Sequence, residues 1–131
     1  MRRIEIKTIP GDSQRYSTVG DYWDDFKGTH IRVSELGNED EEFCVAIHEL
    51  VEQYLCRKRG ISEKKITAFD KKFERERVEG RWFDEEPGDD PRAPYRKEHF
   101  FATNIERQIA HELGVDWAKY DSKCASMSGE I

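Results

Sequence analysis

With 131 residues the chain has room for one domain around a single modest core, which excludes a multidomain arrangement within it. Charged residues make up 38% and apolar residues 36%, yet seven Phe, five Tyr and three Trp argue against a disordered chain. The net charge is −6, and the basic residues sit among acids, as in 57-RKR-59 and 71-KKFERER-77, so nucleic acid is excluded as the main partner.

No apolar run approaches the roughly 18 residues needed to cross a bilayer. The opening MRRIEIKTIP has no hydrophobic signal core, and a cytoplasmic protein with no membrane partner is expected. Cys44, Cys56 and Cys124 are odd in number and show neither CxxC nor Cys/His knuckle spacing, which predicts reduced, buried thiols in place of a disulfide framework or zinc finger.

The expected fold class is α+β, a small N-terminal antiparallel sheet of two to three strands packed against about three helices in one domain, 1–131. Its β-rich part is 1–37, its helical part 38–114 and its C-terminal tail 115–131. The strand signals are the alternating run 3-RIEIKTI-9 and the short run 29-THIRVSEL-36, with turn-prone residues around 10-PGDS-13 and 20-GDYWDD-25. At 37-GNEDEE-42 a capping Asn and a run of acids predict the start of a helix from Asp40 to Arg59, stopped by Gly60. A second helix is predicted from Glu63 to Val78. The segment 84-DEEPGDDPRAPY-95, which carries three of the four prolines, reads as a loop or flap. A third helix should run from Tyr95 to Leu113, with Pro94 at its entry and Gly114 as its stop. The tail is expected to dock Trp117 and Tyr120 and then fray through its Ser and Gly residues.

Placed on a helical wheel at about 100° per residue, the first helix gathers Phe43, Ile47, Leu50, Val51 and Tyr54 on one apolar stripe. His48 and Glu52 stand one turn apart at its flank, where two side chains on one helical face can grip one ion, and Glu49 lies beside the first of them. In the third helix the stripe of Tyr95, Ala102, Ile109 and Leu113 also contains His99 and Glu106, seven residues apart. Burying such groups without partners costs roughly 2–7 kcal/mol for a neutral polar group and more for a charge. Asp70 lies between Ile66 and Phe73 on the second helix and points the same way. Three helices thus offer His48, Glu52, Asp70, His99 and Glu106 to one interior. Two readings satisfy them: a divalent metal site, with Glu106 or Asp70 as fourth ligand or as the group orienting a ligand, or a closed network in which His99 meets Glu52 and Arg77 or Arg107 supplies counter-charge. Cys44 reads as an ordinary buried thiol, and His30 and His111 as ordinary surface histidines.

The stretch 48-HELVE-52, behind a strand and ahead of a helix that carries a further histidine, resembles the active-site helix of zincin-type metallopeptidases, here with a degenerate HExxE motif. That resemblance implies a zincin-like metal-dependent hydrolase of the peptidase or amidase type. His48 then becomes a ligand, Glu49 the catalytic general base, and Zn the expected metal, with Mn or Fe suited to a site richer in carboxylates. Its substrate would be a peptide or small molecule. The whole chain also resembles small phage and prophage proteins, a likeness that implies no activity. Two alternatives remain: a non-enzymatic structural or protein-binding module built on a buried polar network, and a helical nucleotide pyrophosphatase using Mg, to which the Glu-x-x-Glu of 49-ELVE-52 is similar.

Overall fold

The computed structural model describes residues 2–80 and 86–128. Three strands, β1 (Ile4–Ile9), β2 (Gly20–Asp25) and β3 (Gly28–Ser34), precede four helices, α1 (Glu39–Lys58), α2 (Glu63–Val78), α3 (Arg96–Glu112) and α4 (Trp117–Ser128). The α+β class is as expected. The sheet is mixed where an antiparallel one was expected. β3 lies in the middle of the order β1-β3-β2, antiparallel to β2 with Tyr22 opposite Ile31, but parallel to β1 with Ile6 opposite Ile31. Alternation in a sequence sets which side of a strand is buried and is silent on its direction. The segment 20–25, expected as a turn, is the edge strand β2. Its acids are compensated, Asp21 by the Arg15 guanidinium at 2.7 Å and Asp24 by the Gln53 amide at 3.0 Å.

The helix boundaries follow the local signals. The Asn38 side chain accepts from the Glu41 amide at 3.0 Å to cap α1, and Ser62 caps α2 through the Lys65 amide. The tail docks Trp117 and Tyr120 as expected, Tyr120 being fully buried, but it does so as a helix, α4, that continues through Ser122 and Ser126 where fraying was expected; residues 129–131 lie outside the described residues. Residues 84 and 85 of the expected loop also lie outside them. The described remainder, 86–95, is a chain of tight turns, one at Pro87–Asp89 and two more closed by the Ala93 amide on the Asp90 carbonyl and the Arg96 amide on the Ala93 carbonyl.

β3, α1, α3 and α4 enclose the main core of Ile31, Val33, Cys44, Val45, Ala110, Tyr120 and Cys124. All three cysteines are free and buried. The buried face of α1 is not the stripe expected from its apolar residues. Phe43 and Tyr54 are about half exposed, whereas Cys44, Val45, His48, Glu52 and Cys56 face inward. A polar flank replaces an apolar stripe in the interior only where every buried group finds a partner. Among the described residues no helix is long and apolar enough to cross a membrane.

Gly28 opens β3 at φ +130°, and a Cβ there would lie 2.2 Å from the Arg3 carbonyl oxygen. Gly37, at φ +75°, has open space around it. Gly28→Ala should therefore cost more than Gly37→Ala, by roughly 1–3 kcal/mol, measured as the shift in the urea unfolding midpoint at constant slope. Equal costs would mean that the β1–β3 start tolerates a side chain.

Candidate metal centre

α1 and α3 pack side by side, and α3 turns the small residues Ala102 and Ala110 to the interface, both fully buried. Small contact residues let two helices approach closely. Between them meet His48 and Glu52 from α1 and His99 and Glu106 from α3, all buried. Glu52 Oε2 lies 3.0 Å from His48 Nε2 and 3.0 Å from His99 Nδ1. The two rings meet edge to face, with centroids 4.8 Å apart. One carboxylate oxygen is thus the common target of two imidazoles, and one ligand atom from each of the three residues falls within 4.8 Å of the others.

The remaining ring nitrogens are also held. His48 Nδ1 lies 2.7 Å from Glu106 Oε1, while His99 Nε2 faces Asp89 Oδ1 at 3.2 Å and Glu86 Oε2 at 3.4 Å. Behind these, the Tyr22 hydroxyl donates to Glu52 Oε1 at 2.9 Å, and the Tyr120 hydroxyl donates to Glu106 Oε2. Gly88 presses its backbone on the His99 ring, where an added Cβ would come within 2.4 Å. That contact is why the 86–89 turn can reach Nε2.

Burial alone would pull both imidazoles down. Hydrogen bonds to Glu106 and Glu52 hold His48 well above the usual histidine range, and Asp89, Glu52 and Glu86 do the same for His99. Burial would raise Glu52, but the two histidines hold its carboxyl below the usual range. Glu49 moves the other way: burial and the nearby Glu52 charge push it well up.

Glu49 lines a cleft of about 100 Å³ beside the triad, walled by Val19 and Gly20 at β2, Ile66 and Asp70 on α2, and Gly88. Its carboxylate rests against Gly20, where a Cβ would lie 2.5 Å from Oε1, and it has no hydrogen-bond or ion-pair partner among the described residues. Asp70 also faces this cleft but stands apart from the triad, accepting from the Tyr95 hydroxyl at 2.5 Å. Of the five candidate ligands, then, His48, Glu52 and His99 converge, Glu106 falls on the role of orienting His48, and Asp70 lines the approach.

Arg77 and Arg107, considered as counter-ions, lie elsewhere: Arg77 reaches Glu74, and Arg107 stacks on Trp117. Cys44 is fully buried in the core, its thiol pushed up to about 11 by burial. His30 bridges Glu5 and Asp25, and His111 is exposed. Sequence reasoning missed Glu86, Asp89, Tyr22 and Tyr120. The first two sit in a proline-rich loop whose return to α3 no periodicity announces. Tyr22 lay in a segment read as a turn. Tyr120 had a usable signal, since Trp117, Tyr120, Cys124 and Met127 recur at helical spacing.

The chain matches no family model, no curated protein and no solved structure.

Burial pushes the Asp70 carboxyl up to about 7 against the pull of Tyr95, with the Glu52 and Asp21 charges adding to the rise. A carboxyl raised above its unfolded value adds no cost while both states are protonated, and the cost grows as pH climbs from about 4 to about 7. In chelator-treated protein Asp70→Asn should gain stability over the unmodified chain across that window, by up to roughly 4 kcal/mol. Urea unfolding of both proteins at pH 4.5 and 8 tests this; a pH-independent difference would mean that Asp70 titrates normally.

Proposed function

We propose that the chain is a small cytoplasmic metal-dependent hydrolase acting on a peptide or an amide-bearing small molecule, with a divalent ion held by His48, Glu52 and His99. The observation that carries this reading is the orientation of the two imidazoles. One nitrogen of each is turned on the same Glu52 oxygen, and the other nitrogen of each is held by a carboxylate. Metal-ligating histidines are oriented by such outer carboxylates, which fix the ring and raise its basicity. Two nitrogens and one oxygen suit zinc first and manganese or iron next. When bound, such an ion lowers the pKa of a coordinated water and polarises a carbonyl.

The chain's own residues supply the rest. Glu106 and Asp89 hold the imidazoles in place. Gly20 leaves room for Glu49, which follows His48 directly, where the zincins that 48-HELVE-52 resembles keep their general base. A half-buried carboxylate with no partner among the described residues, its pKa raised by burial and by the Glu52 charge, is positioned to exchange a proton at its Oε atoms. Reduced thiols at all three cysteines fit the cytoplasm.

Two other readings have an observation each. The network closes without an ion, since among the described residues Gln14 Oε1 is the one buried side-chain polar atom lacking a partner; that favours a non-enzymatic module. Its acidic contact surface is less convincing, because Glu86 and Asp89 turn in to His99 and Asp90 is taken by Arg92. Asp70 and Glu74 share the cleft with Glu49 and Glu52, as a magnesium pyrophosphatase requires. Against it, both Glu52 oxygens are engaged, and magnesium takes oxygen ligands where two imidazoles stand.

Elemental analysis of the untagged protein should find about one equivalent of zinc, iron or manganese, lost in both His48→Ala and His99→Ala. No metal, even after incubation with these ions, would leave the closed polar network as the function of these residues. Glu49→Gln should retain the metal and lose hydrolysis, read on a panel of peptide and amide substrates. Loss of metal in that variant would make Glu49 a ligand.

A further inference from the structure

The cluster reaches beyond the α1–α3 pair at one point on the C-terminal helix. Tyr120 is fully buried on α4, and its hydroxyl donates to the Glu106 oxygen that does not face His48. A carboxylate with one oxygen on an imidazole and the other on a phenol cannot turn without breaking one of the two bonds. The His48 ring is in turn fixed with Nε2 toward Glu52. Burial, with the Glu106 charge, drives the phenol pKa far up, so Tyr120 stays a donor at every working pH.

α4 is short, follows α3 after a brief connection, and is the last described element of the chain. Besides Tyr120 it is held by Cys124 in the core and by Lys123, which donates to Glu41 and to the Leu36 carbonyl. Short helices held by a few docking side chains open locally at a lower cost than the global unfolding free energy. Each opening withdraws the Tyr120 hydroxyl and leaves Glu106 anchored on one side only.

We infer that Tyr120 is a positioning residue, acting through Glu106 on His48, and that docking of α4 and metal uptake at His48, Glu52 and His99 are thermodynamically coupled. The inference rests on the metal reading above. Removing an outer-shell partner of a metal ligand costs about 10–100-fold in affinity. Coupling between two equilibria is reciprocal, so the ion must favour the docked helix by the same factor by which the docked helix favours the ion.

The test uses Tyr120→Phe, which keeps the buried ring and removes the hydroxyl, and with it the bonds to Glu106 and to the Cys124 thiol. Zinc affinity is measured by competition with a chromogenic chelator for the unmodified chain, Tyr120→Phe, Glu106→Gln and the double variant. Near-ultraviolet dichroism checks that each is folded. Glu106→Gln should weaken zinc binding about 10–100-fold; Tyr120→Phe should weaken it by a smaller factor in the presence of Glu106 and have no further effect beside Glu106→Gln. In parallel, amide hydrogen exchange over 117–128 should slow on zinc addition in the unmodified chain and remain unmoved in Tyr120→Phe. Affinity losses that add in the double variant would assign Tyr120 a packing role and overturn the inference. Zinc uptake that depends on His48 while α4 exchange stays unchanged would overturn the coupling and leave the metal centre standing. Absence of zinc uptake by the unmodified chain would overturn both.

Discussion

A single oxygen, Glu52 Oε2, sits 3.0 Å from a nitrogen of each of two buried histidines, and the helical half of the molecule is arranged around that shared contact. Without the carboxylate, two imidazoles with centroids 4.8 Å apart would face one another with no negative charge between them. The α1–α3 interface answers by using small residues, Ala102 and Ala110, which leave space for the polar side chains to meet. Hydrophobic burial is displaced to the flanks: the sheet, Cys44, Val45 and Tyr120 on one side, Cys56, Ile66 and Tyr95 on the other. The seam between α1 and α3 is held by charge and hydrogen bonds, and the two cores on either side of it by apolar packing.

That arrangement divides the acids of the cleft by role. Glu52, Glu106, Asp89 and Glu86 are each paired with an imidazole, and Asp21 with Arg15. Glu49 and Asp70 have no cationic partner among the described residues, and both are driven up by burial. The paired set is suited to holding a charge in place, and the unpaired set to exchanging protons with whatever enters the cleft.

The parts of this design that depend on local spacing were legible in the sequence. The i, i+4 pair His48 and Glu52 and the i, i+7 pair His99 and Glu106 fall on inward faces, and Asn38 and Gly60 mark helix ends where they were read. What local spacing does not encode was missed. The direction of β1 depends on β3 inserting between its two neighbours. The strand 20-GDYWDD-25 looks like a turn until Arg15 and Gln53 compensate its aspartates. The inward face of α1 was placed too close to Phe43 and Tyr54, because a wheel counts apolar side chains and cannot count the partners that make a polar face burial-competent. The Gly88 turn is invisible for the same reason, since its function is to lie flat on a ring of another element.

The side chains that complete the centre come from widely separated places along the chain, from Tyr22 on the edge strand to Tyr120 near the C-terminus. No contiguous fragment of ordinary motif length contains them. During synthesis, His48 and Glu52 emerge long before His99, and the hydroxyl behind Glu106 emerges last of all. The growing polypeptide therefore carries His48 and Glu52 on α1 for a long interval before His99 joins them, and the cluster is closed only after Tyr120 has emerged. The closed set of bonds among these imidazoles, carboxylates and phenols is in this sense a property of the assembled fold, withheld from every shorter nascent stretch.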